Sequence, residues 1–410
     1  MDESCAYLSD SRPRFRPPSA GDLCAPVPCM TADETNEKVL EVFTRHRDLV
    51  SLPVLEGQRP IGLINRNIFL SQFSKPFRME LYGRKSCIAF MDKEPLVVDA
   101  GTDIDTLTVK TVEYGEKALS DGFIITRDGL FAGVGHGLQL MRAVADMQVA
   151  RNRQIMHSIE YASVIQQSAL RSSREALARA CPGADLVWEP RDVVGGDFYQ
   201  FSQDGDGWLG TVADCTGHGV PGAFMTLIAS SSLGQAIKEH GARDPAALLG
   251  SVNRSVKQML GQLGGQDGTP GSDDGLDAAC FWFEPARQRL RFAGARLPLF
   301  ILRPGCGTVE LIEGQRKGVG YVDSDFDFAW NNTELEVVPG TLVFATTDGL
   351  IDQVGGPRGI AFGKKRVREL LQQQGAGSPA EINQALLAAL LAWQGGHHRR
   401  DDLTFFCFRT

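Results

Sequence analysis

Histidine and cysteine are scarce in this 410-residue sequence, with seven His and nine Cys, and none of them falls at metal-ligand spacing. A thiolate or imidazole metal cage is therefore not written into the chain. Nine is also an odd number, so a fully paired disulfide framework is excluded, and the pattern reads as reduced thiols of a cytosolic protein. Excess positive charge is missing too. The net charge is −8, which argues against wrapping nucleic acid or lying on an anionic membrane. No apolar run approaches the length of about 20 residues that spans a bilayer. Met1-Asp2-Glu3-Ser4 lacks the basic and apolar regions of a signal peptide. The expectation is a cytoplasmic protein with neither nucleic acid nor membrane as a partner.

What the sequence does have is aspartate beside glycine at the ends of apolar runs. Asp197 lies in Val194-Gly195-Gly196-Asp197-Phe198-Tyr199, and Asp214 in Val212-Ala213-Asp214-Cys215-Thr216-Gly217-His218-Gly219. Asp348 follows Phe344-Ala345-Thr346-Thr347, and Asp401-Asp402 opens the run Leu403 to Phe408. A strand end puts its Asp at the rim of a sheet, and glycine lets the backbone approach whatever the Asp holds. Any one of these Asp alone is better read as a turn residue. Four together form an all-oxygen donor set suited to Mg²⁺ or Mn²⁺. Gly-Gly-Asp-Phe also evokes the diguanylate cyclase signature. That signature needs a further acidic residue before Phe, and here Phe198 follows Asp197 directly.

The ordered set Gly-Gly-Asp-Phe-Tyr, Asp-x-x-Gly-His-Gly-x-Pro-Gly-Ala, Thr-Asp-Gly-Leu and Arg-Asp-Asp-Leu-Thr resembles the SpoIIE-type branch of the metal-dependent protein phosphatase 2C (PPM) superfamily, over roughly residues 160–410. The string from Asp214 to Ile228 is most similar to the SiaA-like subgroup. The resemblance implies an α/β/β/α sandwich over 181–410 and a phosphoserine/phosphothreonine phosphatase with two Mn²⁺ or Mg²⁺ ions. It implies Asp214 as the bridging ligand and the Cys215 carbonyl as a further ligand. Asp197 would stand on one side, with Asp348 and Asp401 on the other metal. Asp402 competes with Asp401 for that last place. It also implies a small phosphoprotein substrate, an anti-sigma-factor antagonist or a SiaC-like partner. His218 and Arg191 are weighed as a general acid and a phosphate contact; structural roles are preferred for both. The Cys215 thiol reads as packing.

Residues 1–22, polar and proline-bearing, are expected to be disordered. Residues 23–137 hold an internal repeat. A hairpin over Leu52 to Ile64 and a helix from Asn65 recur as a hairpin over Gly122 to Val134 and a helix from Leu138, each copy preceded by a helical stretch. This resembles a tandem CBS pair, an α/β regulatory module. The family's nucleotide-binding Ser/Thr and Asp are replaced by Asn65-Arg66-Asn67 and Gly135-His136-Gly137, so a divergent sensor or docking module is expected. Residues 138–180 contain no Pro or Gly before Cys181 and predict one helix of roughly 60 Å. Ile155, Ile159, Ala162, Gln166 and Ala169 share a face, a stripe suited to homodimerisation. The Gly- and Asp-rich stretch 261–275 reads as a surface loop. The competing function is a non-catalytic signalling scaffold that binds partners through the repeat; the intact four-Asp set argues against it.

Overall fold

The structure is a computed structural model that describes residues 17–262 and 272–410. Expectations for residues 1–16 and 263–271 lie outside the described residues. Contacts divide the chain into two units, up to Gln154 and from Ile155 onward.

In the first unit, β1 (Met30–Thr31), α1 (Asn36–Arg45), β2 (Ser51–Glu56), β3 (Arg59–Asn65) and α2 (Arg66–Phe73) form one copy of the repeat. A short α3 (Arg78–Tyr82) follows. The second copy is β4 (Val97–Asp99), α4 (Ile104–Tyr114), α5 (Glu116–Asp121), β5 (Phe123–Arg127), β6 (Leu130–Gly135) and α6 (Gly137–Ala180). In each copy the first strand runs parallel to the second and the hairpin is antiparallel. The register slips at equivalent places, Val54/Leu55 and Ile125/Thr126. Each copy buries its own aromatic or aliphatic core, around Phe43, Phe69 and Phe73 in one and Ile104, Leu107 and Phe123 in the other. Asn65 is occupied locally: it caps α2 by accepting from Ile68 N–H (2.9 Å) and donates to Asp121 Oδ1 (2.8 Å).

The N-terminal expectation needs correction at its end. Ser19 and Asp22 form a capping box on a single 3-10 turn, Ala20–Leu23, and Ala20 is fully buried, its N–H bonded to Thr102 O. A small side chain and a reciprocal cap order this stretch despite its polarity.

The second unit continues through β7 (Asp185–Glu189), β8 (Asp197–Asp204), β9 (Gly207–Cys215), α7 (Gly219–His240), α8 (Pro245–Leu260), β10 (Leu276–Glu284) and β11 (Arg289–Ala295). There follow β12 (Leu299–Leu302), β13 (Glu310–Ile312), β14 (Thr333–Glu336), β15 (Leu342–Thr346) and α9 (Asp348–Asp352). The chain ends with β16 (Val354–Gly355), β17 (Ile360–Ala361), α10 (Gly363–Gln373), α11 (Pro379–Gln394) and β18 (Leu403–Arg409). Two five-stranded sheets result, ordered β14-β11-β10-β9-β8 and β13-β12-β15-β18-β7. All their strand pairs are antiparallel.

Strand β18 shows how sequence sets the layers. Phe406 and Phe408 face the other sheet, with ring centroids 4.8 Å from Phe201 and Trp208 respectively. Leu403, Phe405 and Cys407 face outward, into a separate cluster with Val367 and Leu371 of α10 and Ile382 and Leu386 of α11. A nearly continuous apolar run, here Phe405 to Phe408, is what a strand buried on both faces requires, and each buried Phe contributes about 1.5–3 kcal/mol. With α7 and α8 on the opposite outer face, the unit is the expected α/β/β/α sandwich. Helix ends follow local rules: Asp244 caps α8 ahead of Pro245, and a Ser378/Glu381 capping box with Pro379 starts α11.

Two expectations about helices change. The segment Gly219–His240 is, by length and composition, apolar enough to cross a membrane. Its Met225, Ala229, Leu233 and Ala236 lie in the core of the sandwich. On α6 the buried face is Ser163, Gln166, Leu170, Ser173 and Leu177, turned into the helix's own unit, while Ala169 is exposed. Gln166 is thus not part of a seam between copies, because its amide is consumed by backbone groups of the second unit. Ile155, Tyr161, Val164 and Ile165 are exposed.

Candidate active site

The antiparallel register brings three carboxylates into one row. Asp197 opens β8, Asp214 stands next to the end of β9 and Asp277 is the second residue of β10; Asp214 is the direct partner of both of the others. Directly opposed residues of neighbouring strands project on the same face. Asp348 begins α9 straight after β15, and Asp401-Asp402 immediately precede β18, the strand paired with β15. Five separated segments therefore converge on one rim. The Asp214 and Asp348 carboxyls lie close enough for each to shift the other's proton affinity.

Two loops are pressed together below this rim. A Cβ on Gly196 would lie 2.3 Å from the Gly217 carbonyl oxygen and 2.9 Å from that of Cys215, so only glycine fits. Gly217 itself takes a left-handed φ of +85°. Cys215 N–H donates to the Gly196 carbonyl (3.1 Å). The Gly195-Gly196 loop is held from three further sides. Gln166 Nε2 donates to Gly195 O (2.7 Å), and Gln166 Oε1 accepts from Gly195 N–H (3.2 Å). Thr226 Oγ1 donates to Gly196 O (2.9 Å). Asp402 Oδ2 accepts from Gly196 N–H (2.6 Å), and its Oδ1 accepts from Arg191 N–H (2.6 Å).

Charge and burial explain the electrostatics. Burial pushes Asp197 well above the usual carboxylate range, and the nearby Asp402 charge adds to this; Thr347 Oγ1 donates to its Oδ2 (2.7 Å) in the opposite sense. Asp214 is also pushed well up, by burial first and then by Asp197, Asp348 and Asp401. Burial raises Asp348, with Asp401 contributing. Asp277 rises to about 6 through burial, opposed by Arg296. Such a cluster calls for a cation. Among the described residues no three His, Cys, Asp or Glu side chains close into a single-ion cage. The acids are linked pairwise across the rim, and an all-oxygen donor set fits hard divalent ions.

The sequence-derived residues separate as follows. Asp197, Asp214, Asp348 and Asp401 come together. Asp402 has both oxygens committed to backbone N–H groups, whereas Asp401 accepts one, from Asp402 N–H at its Oδ1 (2.9 Å), and so is the better placed of the pair to hold an ion. The Cys215 thiol is buried in the sandwich core and pushed well above the thiol range by burial and Asp214, so it is packing and not a nucleophile. His218 stands at the N-cap of α7, Nδ1 2.8 Å from Asp192 Oδ2. The Arg191 guanidinium donates to Arg400 O (3.0 Å). Sequence reasoning missed Asp277, Thr347 and Gln166. Asp277 carried a signal, since it too is an Asp near a glycine, Gly275, at the start of an apolar strand.

Paired antiparallel sheets flanked by helices, with an acidic rim formed at strand and helix ends, define a metal-dependent phosphatase sandwich. The family model described as Stage II sporulation protein E (SpoIIE) matches residues 204–410. The chain belongs to this family and is a protein serine/threonine phosphatase. The matched span contains Asp214, Asp348 and Asp401; Asp197 precedes it. Phosphatases of this class depend on Mg²⁺ or Mn²⁺. The SiaA-PP2C domain of Pseudomonas aeruginosa is 37% identical, with 64% of this chain and 99% of that one covered and a TM-score of 0.57. The RsbU and RsbW domains of a Mycobacterium tuberculosis protein give 20% identity, 56% and 61% coverage and a TM-score of 0.45. The phosphatase domain of SpoIIE from Bacillus subtilis, with a fragment of its regulatory domain, gives 16%, 55% and 62%, and 0.43. No curated protein matches the chain.

Proposed function

We propose that the protein removes phosphate from phosphoserine or phosphothreonine on a small regulatory phosphoprotein in the cytoplasm, under control of its N-terminal unit. The observation that carries this is the convergence of Asp197, Asp214, Asp348 and Asp401 on one rim. Two Mn²⁺ or Mg²⁺ ions, when bound, supply polarisation of the phosphoryl group and activation of water. In this reading Asp214 would be the ligand shared by the two ions, and Asp197, Asp348, Asp401 and the Cys215 carbonyl would complete the donor set. Thr347 orients Asp197, and Asp402 holds the Gly195-Gly196 loop beneath it. The similarity to the SiaA-PP2C domain supports an anti-sigma-factor antagonist or SiaC-like protein as the substrate class. The repeated β-α-β-β-α order of the first unit supports a CBS-like sensor or docking role. A scaffold that only binds partners would have no use for the four converging acids.

Chelation is expected to abolish turnover of an aryl phosphate and to lower the thermal midpoint, and Mn²⁺ to restore both. Full turnover after exhaustive chelation rules out the two-ion site. The midpoint should also depend on pH. Asp277 holds its proton more tightly folded (about 6) than unfolded (3.8). Its contribution to stability is therefore present at low pH and is lost as pH rises through that window, on the order of 3 kcal/mol. Asp197 and Asp214 shift in the same direction. Differential scanning calorimetry of the chelated protein between about pH 4 and pH 7 checks the slope.

The exposed apolar residues of α6 support a homodimer through that helix. Replacing Ile155 and Ile159 together by Asp should give a monomer with altered basal turnover, read by light scattering and a phosphatase assay. A double variant that stays dimeric with unchanged turnover excludes this role for the stripe.

A further inference from the structure

Beside the acidic row lies an arginine in an unusual backbone conformation. Arg296 sits at the turn between β11 and β12 with φ +59°, one of four non-glycine residues with positive φ among those described. Its neighbours form a tight turn: Leu297 N–H donates to Ala295 O (2.7 Å), and Arg296 N–H donates to Gln315 O (2.7 Å). A left-handed φ is strained for any side chain except glycine, so a glycine would serve the turn better.

The guanidinium is aimed at the site. It lies 4.5 Å from the centroid of the Tyr321 ring. Nη1 is 3.4 Å from Asp277 Oδ1, and Asp277 is the strand partner of Asp214. Nη2 is 3.8 Å from Asp323 Oδ1, and Nε donates to Arg316 O at 3.4 Å. The shelf under it is itself tied to the metal-side loop, because Thr216 Oγ1 lies 3.3 Å from the Tyr321 hydroxyl. Thr216 follows Asp214-Cys215 directly. All these contacts exceed the 2.7–2.9 Å or so of a committed charge-assisted bond, and the side chain remains 36% exposed. The fork is oriented without being saturated.

We propose that Arg296 grips the phosphoryl group of the substrate, a phosphoserine or phosphothreonine dianion, from the side of the rim formed by β10. This rests on the phosphatase reading above. Four carboxylates repel a phosphate dianion; bound cations offset them, and a planar fork is the protein's own means of taking two phosphoryl oxygens at once. Tyr321 keeps the fork flat, and Asp277 keeps it turned toward Asp214.

The test is Arg296→Gly, which removes the fork and suits the positive φ, so a fall in function cannot be attributed to a broken turn. In the full chain loaded with Mg²⁺, calorimetric titration with inorganic phosphate should show affinity weakened about tenfold or more. KM for p-nitrophenyl phosphate should rise by a similar factor with a smaller change in kcat, and the thermal midpoint should be equal or higher. Arg296→Lys, which keeps the charge and loses the fork, should fall between. Phosphate affinity within about twofold of the unsubstituted chain, or a fall in kcat alone, overturns the assignment. Arg296-dependent phosphate binding in a chain that does not hydrolyse the ester leaves the subsite standing and removes the phosphatase reading. Absence of phosphate binding in the unsubstituted chain removes the subsite.

Discussion

Asp214→Asn is expected to lower turnover by about 10²–10³-fold or more and yet to leave a folded protein, more stable than the unsubstituted chain once cations are removed. Both halves follow from one placement. Asp214 is opposed by Asp197 on β8 and by Asp277 on β10, and the Asp348 charge raises it further. It is the acid that the others crowd. An amide of the same shape keeps the packing and removes the charge that bridging needs. It also removes the repulsion that raises its neighbours. Turnover, calorimetric Mn²⁺ affinity and the thermal midpoint in chelator are the three readouts. A variant with turnover within about tenfold of the parent would show that Asp214 does not bridge.

Asp402→Asn should act in the opposite way, through stability. Both carboxylate oxygens accept short bonds from buried backbone, Arg191 N–H and Gly196 N–H, at 2.6 Å each. Asparagine can accept at one of these positions only, and its NH₂ would face a second donor. Losing one charge-assisted bond and leaving a buried N–H unpaired costs about 2–4 kcal/mol. Asp401→Asn has no such debt and should fold normally while losing Mn²⁺ affinity and turnover. Denaturant melts of the two variants side by side separate adjacent residues with unlike tasks. An Asp402→Asn midpoint equal to the parent, with Asp401→Asn destabilised, would reverse the assignment.

The sandwich was legible because its strands are short, apolar and punctuated by glycine and aspartate, and because α8 and α11 start with Asp or Ser followed by Pro. The same punctuation exposed Asp197, Asp214, Asp348 and the Asp401-Asp402 pair. Choosing within that pair needed the backbone N–H groups that reach Asp402 from Arg191 and Gly196, over 200 residues earlier in the chain. Asp277 was hidden for a different reason: its strand partnership with Asp214 is a matter of register, which single-strand patterning does not report. Gln166 was misread because a helical stripe gives a face but not what that face meets. Its polar amide pairs it with the Gly195 peptide instead.

That pairing gives α6 a mechanical character. The Gln166 amide holds both the N–H and the C=O of Gly195, two residues before Asp197. One residue of helix is about 1.5 Å of travel and about 100° of rotation. A bond made at 2.7 Å has no slack for either, so a screw motion of α6 must carry the Gly195 peptide with it or release it altogether. Gly196, which tolerates no Cβ, leaves the loop nowhere to cushion such a move. The angular setting of Gln166 on α6 and the setting of the Gly195 peptide are thus one coordinate, read two residues before Asp197.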